Sequence, residues 1–329
     1  MSLEAHLLRC WYSRRGWCWV LIPLSLLFWT ASRLRRVFYA LRPVDRLPVP
    51  VIVVGNIAVG GTGKTPLVLW LVELLRAAGH RPGVISRGYA ASAHAAVAVG
   101  PDSDPAVVGD EPVLIARRGR CPVWVGRRRA EAGSALLKAH PEVDVIVSDD
   151  GLQHYALARD MEIVVVDGQR GFGNGLLLPA GPLREGRARL IDVDAVVVNG
   201  DGPAAGPGRP AYTMQLIGGR IYDLKQPSRT VSPGYFNDRP VHAVAAIGNP
   251  ARFFEALERQ GMQTIRHAFP DHFRFRPDDL PAGTVIMTEK DAVKCTTFGR
   301  DDIWVFAVDA EVSEGLEQQV LAKLDTQHG

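Results

Sequence analysis

The sequence has 329 residues with a formal net charge of +3, and 47% of its residues are hydrophobic while 22% are charged. This length suits about two globular domains, and the composition indicates a globular rather than a disordered chain. The basic surplus lies in residues 1–46, so the overall pI says little about nucleic acid, and no nucleic-acid partner is expected.

The N-terminal arm, residues 1–46, is basic and contains one apolar run. It carries eight arginines against Glu4 and Asp45. Residues 16–32, GWCWVLIPLSLLFWTAS, contain no charge and would form a helix about 25 Å long, slightly shorter than the ~30 Å hydrocarbon core of a bilayer. Tryptophans within the run and arginines after it favour an interfacial or barely spanning membrane anchor. A buried core helix and a signal peptide are the alternatives.

The cysteines are widely scattered and show no CxxC spacing; they are Cys10, Cys18, Cys121 and Cys295. This pattern is typical of a reduced, cytosolic catalytic body rather than a disulfide scaffold or a zinc site. The sequence also offers no cluster of histidine and cysteine that would hold a metal as cargo.

Residues 47–210 alternate short β-branched runs with helical stretches, which predicts a parallel α/β sheet. The predicted strands lie within 48–56, 82–86, 121–126, 143–150, 161–168 and 193–200. After the first strand and a glycine-rich loop, a helix is predicted from the periodicity of TPLVLWLVELLRAAG and its terminal Gly79. Residues 201–210, DGPAAGPGRP, read as a linker or a long loop.

Residues 211–240 are predicted to form a β-hairpin linker that turns on Gly218-Gly219. From residue 241 a second α/β pattern begins, and it predicts a smaller C-terminal domain over 241–329. The predicted fold is therefore α/β: a parallel sheet of the P-loop NTPase type, a second, smaller α/β domain and an N-terminal hydrophobic membrane helix.

A glycine-rich loop follows the first predicted strand and opens the first predicted helix of this sheet. Its residues are Ala58, Val59, Gly60, Gly61, Thr62, Gly63, Lys64 and Thr65. The match to the G-x-x-x-x-G-K-[ST] pattern is complete except for Ala58. The backbone N–H groups would cradle phosphate, Lys64 would reach the β- and γ-phosphates, and the Thr65 hydroxyl would bind Mg²⁺. The loop therefore predicts binding of a nucleoside triphosphate.

A pair of carboxylates follows a later apolar strand, in VDVIVSDDGLQH, where Asp149 and Asp150 are expected near the magnesium ion. An ordinary turn at the strand end is the alternative. The adjacent Gln153 and His154 are candidates for contact with a bound substrate or with water around it.

Four further segments carry candidate site residues. GDEP supplies Asp110 and Glu111, which would orient a base or bind Mg²⁺, or else form a solvated helix N-cap. SRGYA contributes Tyr89, and GPLREG contributes Arg184 and Glu185, of which the arginine suits an anionic group. FPDHFRF contributes His272, a proton acceptor near neutral pH or a packed loop histidine. TEKDAVK fails the N/T-K-x-D signature by which GTPases read guanine.

Taken together and in this order, the segments VGGTGKTP, SRGY, GDEP, SDDGLQH, GPLRE, FPDH and TEKDAVK behind a hydrophobic helix resemble the tetraacyldisaccharide 4′-kinase family. The resemblance implies ATP- and Mg²⁺-dependent phosphorylation of the 4′-hydroxyl of the tetraacyldisaccharide 1-phosphate precursor of lipid A. The implied location is the cytoplasmic face of the bacterial inner membrane. No obligate protein partner is implied.

The same resemblance implies roles for individual residues. Asp110 and His272 would form a catalytic pair that takes the sugar hydroxyl proton, assisted by Lys64. Glu111, Asp149 and Asp150 would lie around magnesium together with Thr65. Tyr89, Arg184 and Glu185 would face substrate or the transferring phosphate, and Gln153 and His154 stay candidates for substrate contact from their position in SDDGLQH. A P-loop GTPase or ATPase that acts as a switch or metallochaperone is the alternative function, and the missing guanine signature disfavours the GTPase form.

Overall fold

The computed structural model describes residues 3–12, 17–88, 95–202 and 211–328. Within these ranges the strands form one sheet of 13 members. They are β1 Val51–Gly55, β2 Pro82–Ser86, β3 Val97–Val99, β4 Val123–Val125, β5 Val145–Asp149, β6 Met161–Asp167, β7 Ala195–Asn199, β8 Ala211–Asp223, β9 Thr230–Val231, β10 Val241–Ala245, β11 Thr264–Ala268, β12 Val285–Thr288 and β13 Ile303–Val312. The strand order is β11-β10-β12-β13-β8-β7-β6-β1-β5-β2-β4-β3, and β9 pairs with β8.

Helices pack against the sheet and form most of the described part of the N-terminal arm. They are α1 Leu3–Tyr12, α2 Ile22–Ala40, α3 Lys64–Ala77, α4 Pro105–Val108, α5 Asp110–Gly119, α6 Arg129–Ala139, α7 Pro250–Arg259, α8 Glu289–Ala292 and α9 Leu316–His328. Short 3₁₀ helices occupy Trp17–Leu21, Arg187–Ile191, Pro233–Phe236 and Pro277–Asp279. The six strands and the helix predicted between residues 48 and 200 are all present, which confirms the α/β fold.

The first half of the sheet places the ends of four strands beside one another. β1 lies between β5 and β6, and β7 follows β6, with all of these pairs parallel. Both faces of β1 are buried, because its alternate residues pack into two different clusters of the hydrophobic core. Parallel strands end at the same edge, so the loops after β1, β5, β6 and β7 meet there.

The second half contains β11, β10, β12 and β13, which pair in parallel, while β13 pairs antiparallel with β8. Since β8 also pairs in parallel with β7, it joins the two halves into one sheet. The predicted boundaries at residues 210 and 240 remain predictions, and residues 203–210 of the predicted linker lie outside the described residues.

The predicted turn at Gly218-Gly219 is wrong. Both glycines lie inside β8, which continues without a turn from Ala211 to Asp223. Gly218 serves packing instead, since a Cβ there would lie 2.0 Å from Cζ of Phe306 on the neighbouring strand. The antiparallel hairpin of this region turns later, between β8 and β9.

The N-terminal arm exposes most of its apolar surface. In the described part of the chain, Trp17–Ala40 is the one helix long and apolar enough to cross a membrane by length and composition, and 11% of its most apolar stretch is buried. This exposure contradicts the core-helix alternative. The anchor itself stays a prediction.

Two cysteines of the arm differ from the expectation. Cys10 and Cys18 form a disulfide, so the prediction of reduced cysteines is wrong for this pair. The two cysteines of the body, Cys121 and Cys295, are free. The pair lies in a small apolar cluster between the arm and the loop that follows β1, where Val59 packs against it.

Candidate active site

The glycine-rich loop leaves the end of β1 and enters α3 at Lys64. Gly60 and Gly63 have positive φ values of 114° and 93°, which a residue with a side chain would adopt only with strain. Asn199, at the end of β7, donates a hydrogen bond from Nδ2 to the carbonyl oxygen of Thr62 at 2.9 Å. The loop is thus held in the form in which backbone N–H groups at a helix N-terminus bind phosphate.

Asp150 is the carboxylate that meets the loop lysine. Its Oδ1 lies 3.4 Å from Lys64 Nζ, and its Oδ2 lies 3.3 Å from a guanidinium nitrogen of Arg184. Burial alone would raise the pKa of Asp150, but these two cations lower it to about 2. The carboxylate is therefore ionised at neutral pH and lies beside the loop, as a metal-binding or lysine-orienting group should.

The other predicted magnesium residues fall into two groups. Thr65 and Glu111 line the same cleft as Asp150. Asp149 is completely buried behind it, and its Oδ2 accepts a hydrogen bond from Ser86 Oγ at 3.1 Å. Burial and the neighbouring charges of Glu111 and Asp150 raise the pKa of Asp149 above its ordinary value. Asp149 therefore does not line the cleft itself.

Asp110 and His272 come from the two halves of the sheet and form a hydrogen-bonded pair. His272 Nδ1 lies 3.0 and 3.1 Å from the two carboxylate oxygens of Asp110. Asp110 is buried, and Gly109 rather than Asp110 is the N-cap of α5, so the solvated N-cap alternative is wrong. The hydrogen bond with Asp110 raises the pKa of His272, although burial and Lys290 oppose this shift.

The backbone of His272 has a positive φ of 59°, and its N–H donates to Asp271 Oδ1 at 3.0 Å. Burial would raise the pKa of Asp110, yet His272, Lys290 and Lys294 together lower it to about 2. His272 thus lies beside an ionised carboxylate, which makes its imidazole more basic.

Two lysines of TEKDAVK, for which the sequence predicted no role, lie beside this pair. Lys290 Nζ lies 2.8 Å from Glu111 Oε1 and 3.3 Å from Asp271 Oδ1, which joins α5 to the His272 segment. Lys294 Nζ lies 3.9 Å from Asp110 Oδ2. Burial would lower the pKa of Lys290, but the nearby carboxylates raise it. The available signal was the position of TEKDAVK, which starts where β12 ends.

The residues predicted to face substrate are placed unequally. Gln153, Arg184 and Glu185 line the cleft. Gln153 Nε2 donates to Glu185 Oε1 at 2.8 Å, and Glu185 also accepts a hydrogen bond from the Tyr155 hydroxyl. His154 does not line the cleft, and its Nε2 accepts the Arg129 backbone N–H at 3.3 Å. Tyr89 lies outside the described residues.

One cleft of about 1970 Å³ brings these groups together. Its walls include Gly60–Thr65 of the glycine-rich loop, the Asp110–His272 pair and, from the arm, Phe28, Ser32 and Arg35 of α2. Loop residue Ala58 does not line the cleft, and its carbonyl oxygen accepts a hydrogen bond from Asn56 Nδ2 at 2.6 Å. The cleft therefore joins the glycine-rich loop, the Asp110–His272 pair and an opening beside an apolar helix.

A glycine-rich loop shaped to bind phosphate shares one cleft with the Asp110–His272 pair, and this arrangement is typical of a P-loop kinase. A family model described as tetraacyldisaccharide-1-P 4′-kinase matches residues 17–325. The chain belongs to this family.

The relatives agree with this family over the whole chain. It is 50% identical to the tetraacyldisaccharide 4′-kinase of Methylobacillus flagellatus, with 98% of this chain and 97% of that protein covered. It is 51% identical to the tetraacyldisaccharide 4′-kinase of an Azoarcus species, with 97% and 95% covered. The crystal structure of LpxK from Aquifex aeolicus in complex with ATP is 26% identical, has a TM-score of 0.79, and covers 93% of this chain and 99% of that one.

Proposed function

We propose that this protein transfers the γ-phosphoryl group of ATP to the 4′-hydroxyl of tetraacyldisaccharide 1-phosphate, a step of lipid A biosynthesis. The family assignment and the relatives that are about 50% identical to this chain support this reaction. The observation that carries it is the Asp110–His272 pair facing the same cleft as the glycine-rich loop.

The chain supplies both halves of a phosphoryl transfer. N–H groups of the loop and Lys64 hold the β- and γ-phosphates and offset their charge. His272 accepts the proton of the sugar hydroxyl at Nε2, while Asp110 holds Nδ1 and stabilises the imidazolium that forms. The hydroxyl oxygen then bonds to the γ-phosphorus, and the bond to the bridging oxygen breaks with its electron pair leaving on ADP. Enclosure of the cleft between two halves of the sheet limits wasteful hydrolysis.

The chemistry of the carboxylates fits a magnesium ion. Oδ1 of Asp149 is buried and has no hydrogen-bond partner within the described ranges, and Glu111 and Asp150 add negative charge around it. Among the described residues, however, no group of three or more His, Cys, Asp or Glu side chains is arranged to hold a metal by itself. We therefore assign direct binding to Thr65 and Asp150 together with the phosphates, as is usual for Mg²⁺. Bound magnesium would neutralise charge on the phosphate oxygens.

The arm fits a substrate that stays in a bilayer. Apolar side chains of Trp17–Ala40 are exposed; the tryptophans Trp17, Trp19 and Trp29 are 51%, 56% and 47% accessible. Exposed tryptophans suit the membrane–water interface, and the arginines of α2 suit anionic lipid headgroups. The proposed location is the cytoplasmic face of the inner membrane, where ATP and an acylated disaccharide meet.

The test is thin-layer analysis after incubation of the full chain with γ-labelled ATP, magnesium and the lipid disaccharide in mixed micelles. Label should appear in a lipid product whose new phosphate is at the 4′ position, and Lys64→Ala should abolish it. Release of label only as free phosphate would contradict the proposal and favour an ATPase switch.

A further inference from the structure

Arg170 follows β6, the strand next to β1, and approaches the glycine-rich loop from the side. One of its guanidinium nitrogens lies 3.5 Å from the position that a Cβ of Gly60 would occupy. Its backbone N–H donates to Asp167 Oδ1 at 3.2 Å, which fixes the start of the loop after β6. Arg170 also lines the cleft. A cation therefore lies beside the loop that is built to hold phosphate.

The charge of this arginine is not committed to a carboxylate. Two other cations of the cleft, Lys64 and Arg184, both pair with Asp150. Across the described part of the chain, no ion pair of Arg170 is found within 4.0 Å. A half-buried guanidinium without an anionic partner, next to N–H groups that face phosphate, is suited to bind a phosphoryl oxygen.

The guanidinium of Arg170 also contacts the N-terminal arm. Its guanidinium lies 5.5 Å from the ring centre of Tyr12, the last residue of α1. The loop after β6 also contacts the arm through its backbone, since Asn174 N–H donates a hydrogen bond to the carbonyl oxygen of Trp11 at 2.8 Å. Gly173 has a positive φ of 56°, and a Cβ there would lie 2.8 Å from the Trp11 carbonyl oxygen. The loop is thus shaped to seat α1.

We propose that Arg170 is a further catalytic residue, which contacts an oxygen of the transferring γ-phosphoryl group, and that α1 holds it in place through Tyr12. The inference rests on the proposed kinase function and adds a residue to it. As the bond to ADP breaks and the bond to the sugar oxygen forms, the guanidinium offsets charge on the equatorial oxygens. Because α1 would hold Arg170 in place, the N-terminal arm would also be part of the phosphate site.

The test compares Arg170→Ala and Arg170→Lys with a matched control, Arg187→Ala. Arg187 also stacks on an aromatic ring nearby, at 4.9 Å from the ring centre of Phe172, but it does not line the cleft. Arg170→Ala should lower kcat on the order of 100-fold, Arg170→Lys should recover part of the loss, and Arg187→Ala should stay within about threefold. Thermal melting of each variant checks that it is folded.

Two further measurements separate catalysis from anchoring. Arg170→Ala should weaken binding of ADP–aluminium fluoride with magnesium about tenfold more than binding of a non-hydrolysable ATP analogue. Tyr12→Leu should lower kcat less than Arg170→Ala and have no further effect in the Arg170→Ala background, whereas Tyr12→Phe should be close to wild type.

Equal small losses for Arg170→Ala, Arg187→Ala and Tyr12→Leu, with unchanged ADP–aluminium fluoride binding, would overturn the inference and make Arg170 only an anchor for the arm. Failure of the proposed function looks different. The wild-type chain would then form no phosphorylated lipid, while the comparison of the two nucleotide complexes would still report on Arg170.

Discussion

Gly248, after β10 in the second half of the sheet, lies against the glycine-rich loop, and we expect Gly248→Ala to disable the enzyme without unfolding it. A Cβ at this position would lie 2.3 Å from the backbone nitrogen of Gly61 and 3.0 Å from its Cα. Backbone atoms of the loop cannot rotate away as a side chain can. The two segments must therefore separate.

The size of the effect follows from the distance. An ordinary contact of a Cβ needs about 3.4 Å or more, so the segments have to part by about 1 Å. A displacement of about 1 Å between reacting groups costs on the order of 100-fold in rate. His272 belongs to the half that would move, so the loss should appear mainly in kcat. Affinity for ATP, which depends on the first half, should change little.

The assay is steady-state transfer of phosphate from ATP to the lipid disaccharide, with calorimetric affinity for an ATP analogue and thermal melting in parallel. Gly219→Ala is the matched control, because a Cβ at Gly219 would meet no atom within 4 Å. If Gly248→Ala keeps kcat within about threefold of the control, the two halves do not meet at the loop during catalysis, and the reasoning is refuted.

Three other predictions follow from the contacts described above. Asp110 raises the pKa of His272, and the histidine must be neutral to accept a proton. Asp110→Asn should therefore lower kcat and move the acidic limb of the pH profile of kcat/KM to lower pH. An acidic limb that does not move would contradict this prediction. Ser25→Ala removes two hydrogen bonds of 2.8 and 3.0 Å between α2 and the body, at about 1–3 kcal/mol, and should speed hydrogen exchange in α2; unchanged exchange would count against arm docking. Gly218→Val should cost at least about 1–3 kcal/mol in urea unfolding because its side chain would overlap the Phe306 ring, and wild-type stability would show that the ring can move.

Much of the first half of the sheet could be predicted from local patterns. The run VIVVG and the loop after it are recognisable because a buried parallel strand, a glycine loop and a helix each have a strong sequence signature. The turn at Gly218-Gly219 was predicted wrongly because paired glycines look alike in a turn and in a strand that makes room for a ring. Only the position of Phe306 on β13 distinguishes the two cases.

The pairing of Asp110 with His272 was predicted through a resemblance rather than from local chemistry. Asp110 and His272 are 162 positions apart, and no periodicity or spacing connects them. The roles of Lys290 and Arg170 were not predicted at all, because each depends on which strand ends lie side by side. The order β6-β1-β5 brings Arg170 to Gly60, and this order is a property of the folded sheet.

His272→Ala tests the proposed kinase mechanism most directly, through transfer of labelled phosphate from ATP to the lipid disaccharide. We expect kcat to fall about 10²- to 10⁴-fold, because the general base is lost, while affinity for an ATP analogue stays within a few-fold of wild type. Transfer that stays near the wild-type rate in a folded variant would contradict the assignment of His272 as the base.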